Sequence, residues 1–198
     1  MFRSLWDCSG RLTFFVFCTS LIYAVIRYNV FGLVPYEDIP LYISNKAFAL
    51  SAVILLLINT IRTDSDRGIL NRHIRMFMIM HAIISFFVFT PAYFREYFHN
   101  GKILLQPAMM LLAGIYSFFS FNTMHQVKEA TDIVQSRLFM QRIKIFTLIA
   151  LSVHIFLRGI SSWLNPEIWP AGIVPVSLIA FIALLIVALM PNKKGVVE

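Results

Sequence analysis

Long apolar runs separated by short polar segments dominate the sequence. Six of these runs have about the length that a helix needs to cross the hydrocarbon core of a bilayer. The predicted spans cover residues 12–28, 43–61, 72–94, 103–121, 142–163 and 173–190. We therefore predict an all-α fold, a polytopic bundle of six transmembrane helices that forms one domain over residues 1–198.

The polar segments between the runs contain residues that end helices. Residues 30–45 include two prolines and two acids, which predict a loop. Pro91 is expected to kink or end the third helix. Residues 122–137 predict an amphipathic, partly helical loop, and residues 161–172 a loop without basic residues.

Composition agrees with a membrane protein. Hydrophobic residues make up 59% of the chain and charged residues 14%, whereas a soluble domain has about 25% charged residues. The net charge of +7 does not indicate nucleic-acid binding, because Lys and Arg lie at the ends of the apolar runs. With both termini in the cytoplasm, twelve of the 17 basic residues lie inside. The five outside are Arg27, Lys46, Arg95, Lys102 and Arg158.

Two of the predicted spans contain a histidine. The run RIKIFTLIALSVHIFLRG carries His154, and the run RHIRMFMIMHAIISFFVFTPAYF carries His81. An imidazole in hydrocarbon needs a partner, and ionisable residues within the membrane are candidates for a functional site.

The positions of the two histidines indicate similar depths. At 1.5 Å per residue, His81 lies roughly 9 Å beyond Arg75, and His154 lies roughly 15 Å beyond Lys144. Two imidazoles facing each other across a bundle are suited to bind a haem iron from both sides, which favours electron transfer. The alternative is that each ring is hydrogen-bonded to a neighbouring carbonyl or hydroxyl group.

Arg158 follows His154 by one helical turn on the same face. A guanidinium at the outer end could pair with a haem carboxylate. The alternative is an interfacial arginine that extends toward water.

The remaining polar and aromatic candidates are predicted to be structural. His73, His99 and His125 are expected to be solvated or interfacial, and Trp163 and Trp169 to belong to the outer aromatic belt. The apolar runs contain no Asp or Glu, which argues against a proton-driven transporter and an aspartyl or metallo intramembrane protease.

From Ser44 to Met190 the chain resembles the ferric-reductase-like transmembrane domain family. Within it, the likeness is to stand-alone haem-binding membrane subunits of periplasmic methionine-sulfoxide reductase systems. The segments that carry the likeness are NKAFALSAVILLL, MHAIISFFVF and VHIFLRGISSWLNPEIWPAGIVPVSLIAF.

This resemblance implies that His81 and His154 are the axial ligands of haem b. Two-haem members have another histidine on the fifth helix, where this chain has Gln141, so we predict one haem. Nothing in the sequence resembles a flavin or nicotinamide domain. The resemblance therefore implies an oxidoreductase subunit in a bacterial inner membrane, with the lipid bilayer, a separate electron donor (a reductase or quinol) and a separate electron acceptor as partners.

A second hypothesis stays open at this point. Without a cofactor, the six helices would form a membrane scaffold, an assembly factor or a carrier of small solutes. In that case, neighbouring residues satisfy His81 and His154.

Overall fold

The computed structural model describes residues 8–62, 67–91, 94–130 and 134–190. For Arg67 and for residues 124–130 and 134–141, it describes the helical backbone but not the side chains. The main helices are α1 (Cys8–Val25), α2 (Ser44–Ile61), α3 (Arg67–Val88), α4 (Leu105–Ala130), α5 (Val134–Trp163) and α6 (Val176–Leu189).

Short elements connect these helices at one end of the bundle. Two π-helical turns (Ile26–Val30, Ile39–Ile43) and a 3₁₀ turn (Tyr36–Asp38) lie between α1 and α2. A 3₁₀ turn (Arg95–Tyr97) and an antiparallel hairpin, β1 (Phe98–His99) with β2 (Lys102–Ile103), lie between α3 and α4. Two further 3₁₀ turns, Pro166–Ile168 and Pro170–Gly172, lie between α5 and α6.

The all-α prediction is confirmed, since the hairpin holds the only strands of the described residues. Four segments are long and apolar enough to cross a membrane: Cys8–Val30, Tyr36–Ile61, Arg142–Trp163 and Pro170–Leu189. The helices α3 and α4 are not among these four. Arg72, His73 and Arg75 lower the hydropathy of α3, and α4 has polar residues at both ends.

Several helix boundaries differ from the predicted ones. The third helix ends at Val88, three residues before Pro91, because a proline disfavours helical conformation in the residue that precedes it. Residues 30–45 form short helical turns, and their last two residues already belong to α2. The segment predicted as an amphipathic, partly helical loop over residues 122–137 is helical over most of its length, since α4 continues to Ala130 and α5 begins at Val134.

The helix α2 lies at the centre of the bundle. It packs against α1, α3 and α6, while α5 packs against α4 and α6. Small side chains on α2, such as Ala47, Ser51 and Ala52, are buried in these contacts and let neighbouring helices approach closely. One core cluster joins α2 to α5 and α6, and a second joins α2 to α1 and α3.

Large apolar side chains cover the outside of the bundle. Phe14 of α1, Phe86 of α3, Phe119 of α4 and Leu189 of α6 are all more than 60% exposed. Exposed apolar residues on this scale would be unfavourable in water, whereas hydrocarbon accommodates them. The surface therefore agrees with an integral membrane protein.

Hydrogen bonds fasten α1 to the segment before α6. The Tyr23 hydroxyl donates to the Val174 carbonyl at 2.5 Å, and Nη1 of Arg27 donates to the Ile173 carbonyl. Residues far apart in sequence thus hold this end of the bundle together.

The two tryptophans near this end have specific partners. Trp163 donates to Ser177 Oγ at 3.0 Å and packs over Gly159, where an added Cβ would lie 2.2 Å from its Nε1. Trp169 donates to the Ser162 carbonyl at 2.7 Å. Both indoles therefore join α5 to its neighbours, in addition to any contact with the membrane interface.

Candidate functional site

The structure brings His81 and His154 together. Their ring centres lie 6.3 Å apart, with the ring planes at 80°. The histidines come from α3 and α5, which pack mainly against other helices. The two rings thus meet between helices that are not close packing partners, as the similar depths in the sequence predicted.

A backbone carbonyl of α4 orients the His154 ring. Nδ1 of His154 lies 2.8 Å from the Met110 carbonyl oxygen. A carbonyl can only accept a hydrogen bond, so this nitrogen carries the proton. Gly114, one turn along α4, allows the close approach, because a Cβ at this position would lie 2.8 Å from Nδ1.

A side chain of α2 orients the His81 ring. Nδ1 of His81 lies 2.7 Å from Oδ1 of Asn45 and 3.3 Å from the Asn45 backbone carbonyl. The Asn45 amide nitrogen donates to Ser85 Oγ at 3.0 Å, and the Ser85 hydroxyl lies 3.4 Å from Oδ1 of Asn45. The Asn45 backbone carbonyl near Nδ1 can only accept a hydrogen bond. Nδ1 of His81 is therefore also the protonated nitrogen.

On both rings, Nε2 is therefore the unprotonated nitrogen, whose lone pair can bind a metal. In a neutral imidazole with a proton on Nδ1, Nε2 is the acceptor and the metal ligand. Neither Nε2 has a hydrogen-bond partner among the described residues. A histidine that binds a metal typically donates its other N–H to a carbonyl or amide oxygen, which both histidines do here.

The distance between the rings suits one metal ion. Metal–imidazole bonds measure about 2.0–2.1 Å, and the centre of a five-membered ring with bonds of about 1.35 Å lies roughly 1.15 Å from its atoms. Two imidazoles on opposite sides of an ion therefore have ring centres about 6.3–6.5 Å apart. The observed 6.3 Å lies within this range.

The donor set indicates which kind of metal centre fits. Within the described residues, no group of three or more His, Cys, Asp and Glu side chains could hold a metal ion. A structural zinc site needs four protein ligands, which this pair does not provide. Two imidazoles are sufficient for haem iron, because the porphyrin supplies the other four ligands. The pair thus fits haem better than a bare ion.

Arg158 lies on the same helix as His154, next to aromatic rings rather than carboxylates. Its guanidinium carbon is 5.1 Å from the centre of the Phe94 ring and 5.4 Å from that of Tyr97. Burial raises the pKa of the Tyr97 hydroxyl above its ordinary value, while the nearby Arg158 charge acts in the opposite direction. Arg158 is therefore placed near the loop that follows α3.

The other histidines lie away from this pair. Nδ1 of His73 lies 2.8 Å from the Thr13 hydroxyl, so this ring has a specific partner rather than being simply solvated. His99 is exposed on the hairpin. The side chains of His125 and Gln141 lie outside the described residues, and the question of a second haem near Gln141 stays untested.

Sequence reasoning missed the residues that orient the two rings. Asn45 lies at the end of the predicted loop 30–45 and near the start of the span 43–61, and no role was predicted for it, although an amide next to an apolar run needs a partner when it is buried. Gly114 is a glycine inside a helical pattern, which often marks a close approach. Both signals were present in the sequence, but the partner of each residue depends on which helices pack together.

No protein-family model matches the chain, and no curated protein matches it in sequence. The resemblance to the ferric-reductase-like family therefore stays a prediction.

Proposed function

We propose that the chain is a membrane protein that binds one haem b through His81 and His154. It would pass electrons across or within the membrane, from a separate donor to a separate acceptor. The observation that supports this proposal most strongly is the histidine pair. The rings are spaced for one metal ion, and each donates Nδ1–H to an oxygen acceptor, which leaves both Nε2 atoms as ligands.

The remaining residues of the site would have distinct roles. Asn45 and the Met110 carbonyl would hold the two imidazoles in the tautomer that binds metal. Arg158, one turn beyond His154, would bind a haem carboxylate. When bound, haem supplies reversible one-electron chemistry at its iron, and ligation by two imidazoles favours electron transfer over oxygen binding.

The proposal includes six spans with both termini in the cytoplasm of a bacterium. Three of the five basic residues assigned to the outside, Arg27, Lys46 and Arg158, lie at one end of the bundle. Arg27 and Lys46 both contact the Tyr28 ring, and Arg158 contacts the loop after α3. This arrangement agrees with helices that alternate in direction, as six spans with both termini on one side require.

An absorption spectrum of the purified protein tests the proposal. After expression with haem supply and solubilisation in detergent, we expect a Soret band and sharp visible bands on reduction. His81→Ala and His154→Ala should each lose these bands, and added imidazole should restore them by replacing the missing ligand. His99→Ala is the matched control, because His99 is exposed on the hairpin, and it should keep the wild-type spectrum.

Size-exclusion chromatography and the helical circular dichroism signal check that the variants fold. A folded wild-type protein without a Soret band would overturn the proposal and favour a cofactor-free scaffold, assembly factor or carrier. Folded His81→Ala and His154→Ala variants with unchanged spectra would overturn the assignment of the ligands.

A further inference from the structure

The end of the bundle nearest Arg158 contains three cations that lie against aromatic rings. Nζ of Lys46 lies 4.2 Å from the centre of the Tyr42 ring and 4.8 Å from that of Tyr28. The guanidinium carbon of Arg27 lies 5.4 Å from the same Tyr28 ring. Aromatic faces attract cations, but they carry no net charge and leave the positive charge of this group unbalanced.

None of the carboxylates in the described part of the chain is buried. Arg27 donates to the Ile173 carbonyl and Arg158 to the Tyr97 hydroxyl, and both arginines repel the ammonium group of Lys46. The acid that acts on Lys46 from the described residues is Glu96, which is exposed on the loop after α3. Charges removed from water are normally paired, so this cluster lacks a counter-ion.

Arg27 supplies an independent sign of a missing partner. Its side chain is only 5% exposed. Nη1 donates to the Ile173 carbonyl, but the buried Nε has no hydrogen-bond partner. The ammonium group of Lys46 likewise contacts two rings and has no hydrogen bond among the described residues. A buried donor without a partner, such as Nε of Arg27, is rare unless a ligand or water binds it.

The cations lie close to the histidine pair in the fold. Lys46 directly follows Asn45, which orients His81, and Arg158 lies one turn beyond His154 on α5. The cluster therefore adjoins the pair through α2, which holds Asn45 and Lys46, and through α5, which holds His154 and Arg158. Anion binding by the three cations does not require the histidines, however, so this cluster can be tested separately from haem binding.

We propose that Lys46, Arg158 and Arg27 form a binding site for an oxyanion, a carboxylate or phosphate carried by a membrane-soluble molecule. Guanidinium and ammonium groups together bind such anions with charge-assisted hydrogen bonds. Two sources share this chemistry. One is the phosphate of an anionic lipid, and the other is a carboxylate of the porphyrin, if haem is bound as proposed above.

The first experiment uses lipids and does not require haem. We would measure binding of phosphatidylglycerol and phosphatidylcholine to the delipidated protein by native mass spectrometry, and follow thermal unfolding with inorganic phosphate. The wild type should prefer phosphatidylglycerol by about tenfold or more. Lys46→Met and Arg158→Met should lose this preference. Lys102→Met removes an exposed lysine of the hairpin and should keep it.

The second experiment compares haem with its dimethyl ester, in which both carboxylates are blocked. If a porphyrin carboxylate is the ligand, the ester should bind about tenfold more weakly to the wild type. The two compounds should bind equally to Lys46→Met. A preference in the first experiment identifies the lipid, a preference in the second identifies the porphyrin, and stabilisation by inorganic phosphate alone identifies a free anion.

Stability without any anion separates a binding role from a structural one. If Lys46 is an unpaired cation that awaits a ligand, Lys46→Met should unfold at the same temperature as the wild type or higher, because the variant relieves repulsion. A lower unfolding temperature together with unchanged anion binding in all experiments would overturn the proposal. If the wild type shows no Soret band but still prefers phosphatidylglycerol, haem binding is refuted and the anion site is still supported.

Discussion

The two histidines of the candidate site are held by different kinds of partner. His81 is oriented by the side chain of Asn45, whereas His154 is oriented by the backbone carbonyl of Met110. A side-chain partner can be removed by substitution, but a backbone carbonyl cannot. The orientation of His154 therefore depends on how closely α5 approaches α4, and Gly114 controls that approach.

Gly114→Ala should have the largest effect of the changes that leave both histidines in place. The new methyl group would lie 2.8 Å from Nδ1 of His154. The ring would have to move, and its bond to the Met110 carbonyl would be lost. We expect a loss of about 2–4 kcal/mol in stability from overpacking and an unpaired N–H, measured as a lower unfolding temperature, together with faster loss of haem.

Gly68→Ala is the matched control for this change. Gly68 also lies in a helix, but no atom of the described residues lies within 4 Å of the position of its Cβ. Alanine favours a helix over glycine by about 1 kcal/mol, so this variant should be neutral or slightly more stable. If Gly114→Ala and Gly68→Ala had the same unfolding temperature and lost haem at the same rate, the His154 ring would not be held against α4.

Asn45→Ala tests the side-chain partner and should have the second largest effect. It would leave Nδ1–H of His81 with only the longer contact to the Asn45 backbone carbonyl. Loss of a buried partner costs about 1–3 kcal/mol, and loss of an outer partner of a metal ligand costs about 10–100-fold in affinity. Haem titration of the purified variant measures the second effect.

Asn45→Asp keeps an oxygen acceptor for His81 and should bind haem better than Asn45→Ala. Because a carboxylate makes the imidazole a stronger donor to iron, the reduction potential of this variant should be lower than that of the wild type. If Asn45→Ala bound haem as tightly as the wild type, Asn45 would not be the residue that orients His81.

Ser85→Ala should have the smallest effect. Ser85 accepts a hydrogen bond from Asn45 at 3.0 Å, and the hydrogen bonds of the His81 ring are to Asn45. Because the second contact of Ser85, to Oδ1 of Asn45, is long at 3.4 Å, removal of the hydroxyl should cost about 0.5–1.5 kcal/mol, the net value of one hydrogen bond, and haem affinity should change little. An effect as large as that of Asn45→Ala would mean that the hydroxyl, rather than the amide, determines the orientation of His81.

The sequence was sufficient to predict the main helices and that His81 and His154 lie near each other, because both follow from the position of residues along apolar runs. The run around His154 is apolar between basic and tryptophan ends, and α5 indeed continues to Trp163. The ends of the polar segments were harder to predict. Amphipathic residues between 122 and 137 resembled a loop, because a polar helix that extends past the bilayer has no continuous apolar run.

The partners of the histidines could not be predicted from the sequence. Asn45 and His81 are 36 residues apart, and Met110 and His154 are 44 apart. Their contact depends on the rotation of each helix about its own axis. Apolar runs with lipid on one side and protein on the other specify this rotation weakly, since both surroundings accept the same residues.

The bonds of Tyr23 and Arg27 to residues 173–174 have a consequence for biosynthesis. About 150 residues separate donors from acceptors, and a ribosome adds roughly 5–20 residues per second. The first helix therefore enters the bilayer several seconds before its final partners have been translated. During that interval, the guanidinium of Arg27 must be solvated by water or lipid headgroups, and α1 can take its final position only after residues 173–174 have been made.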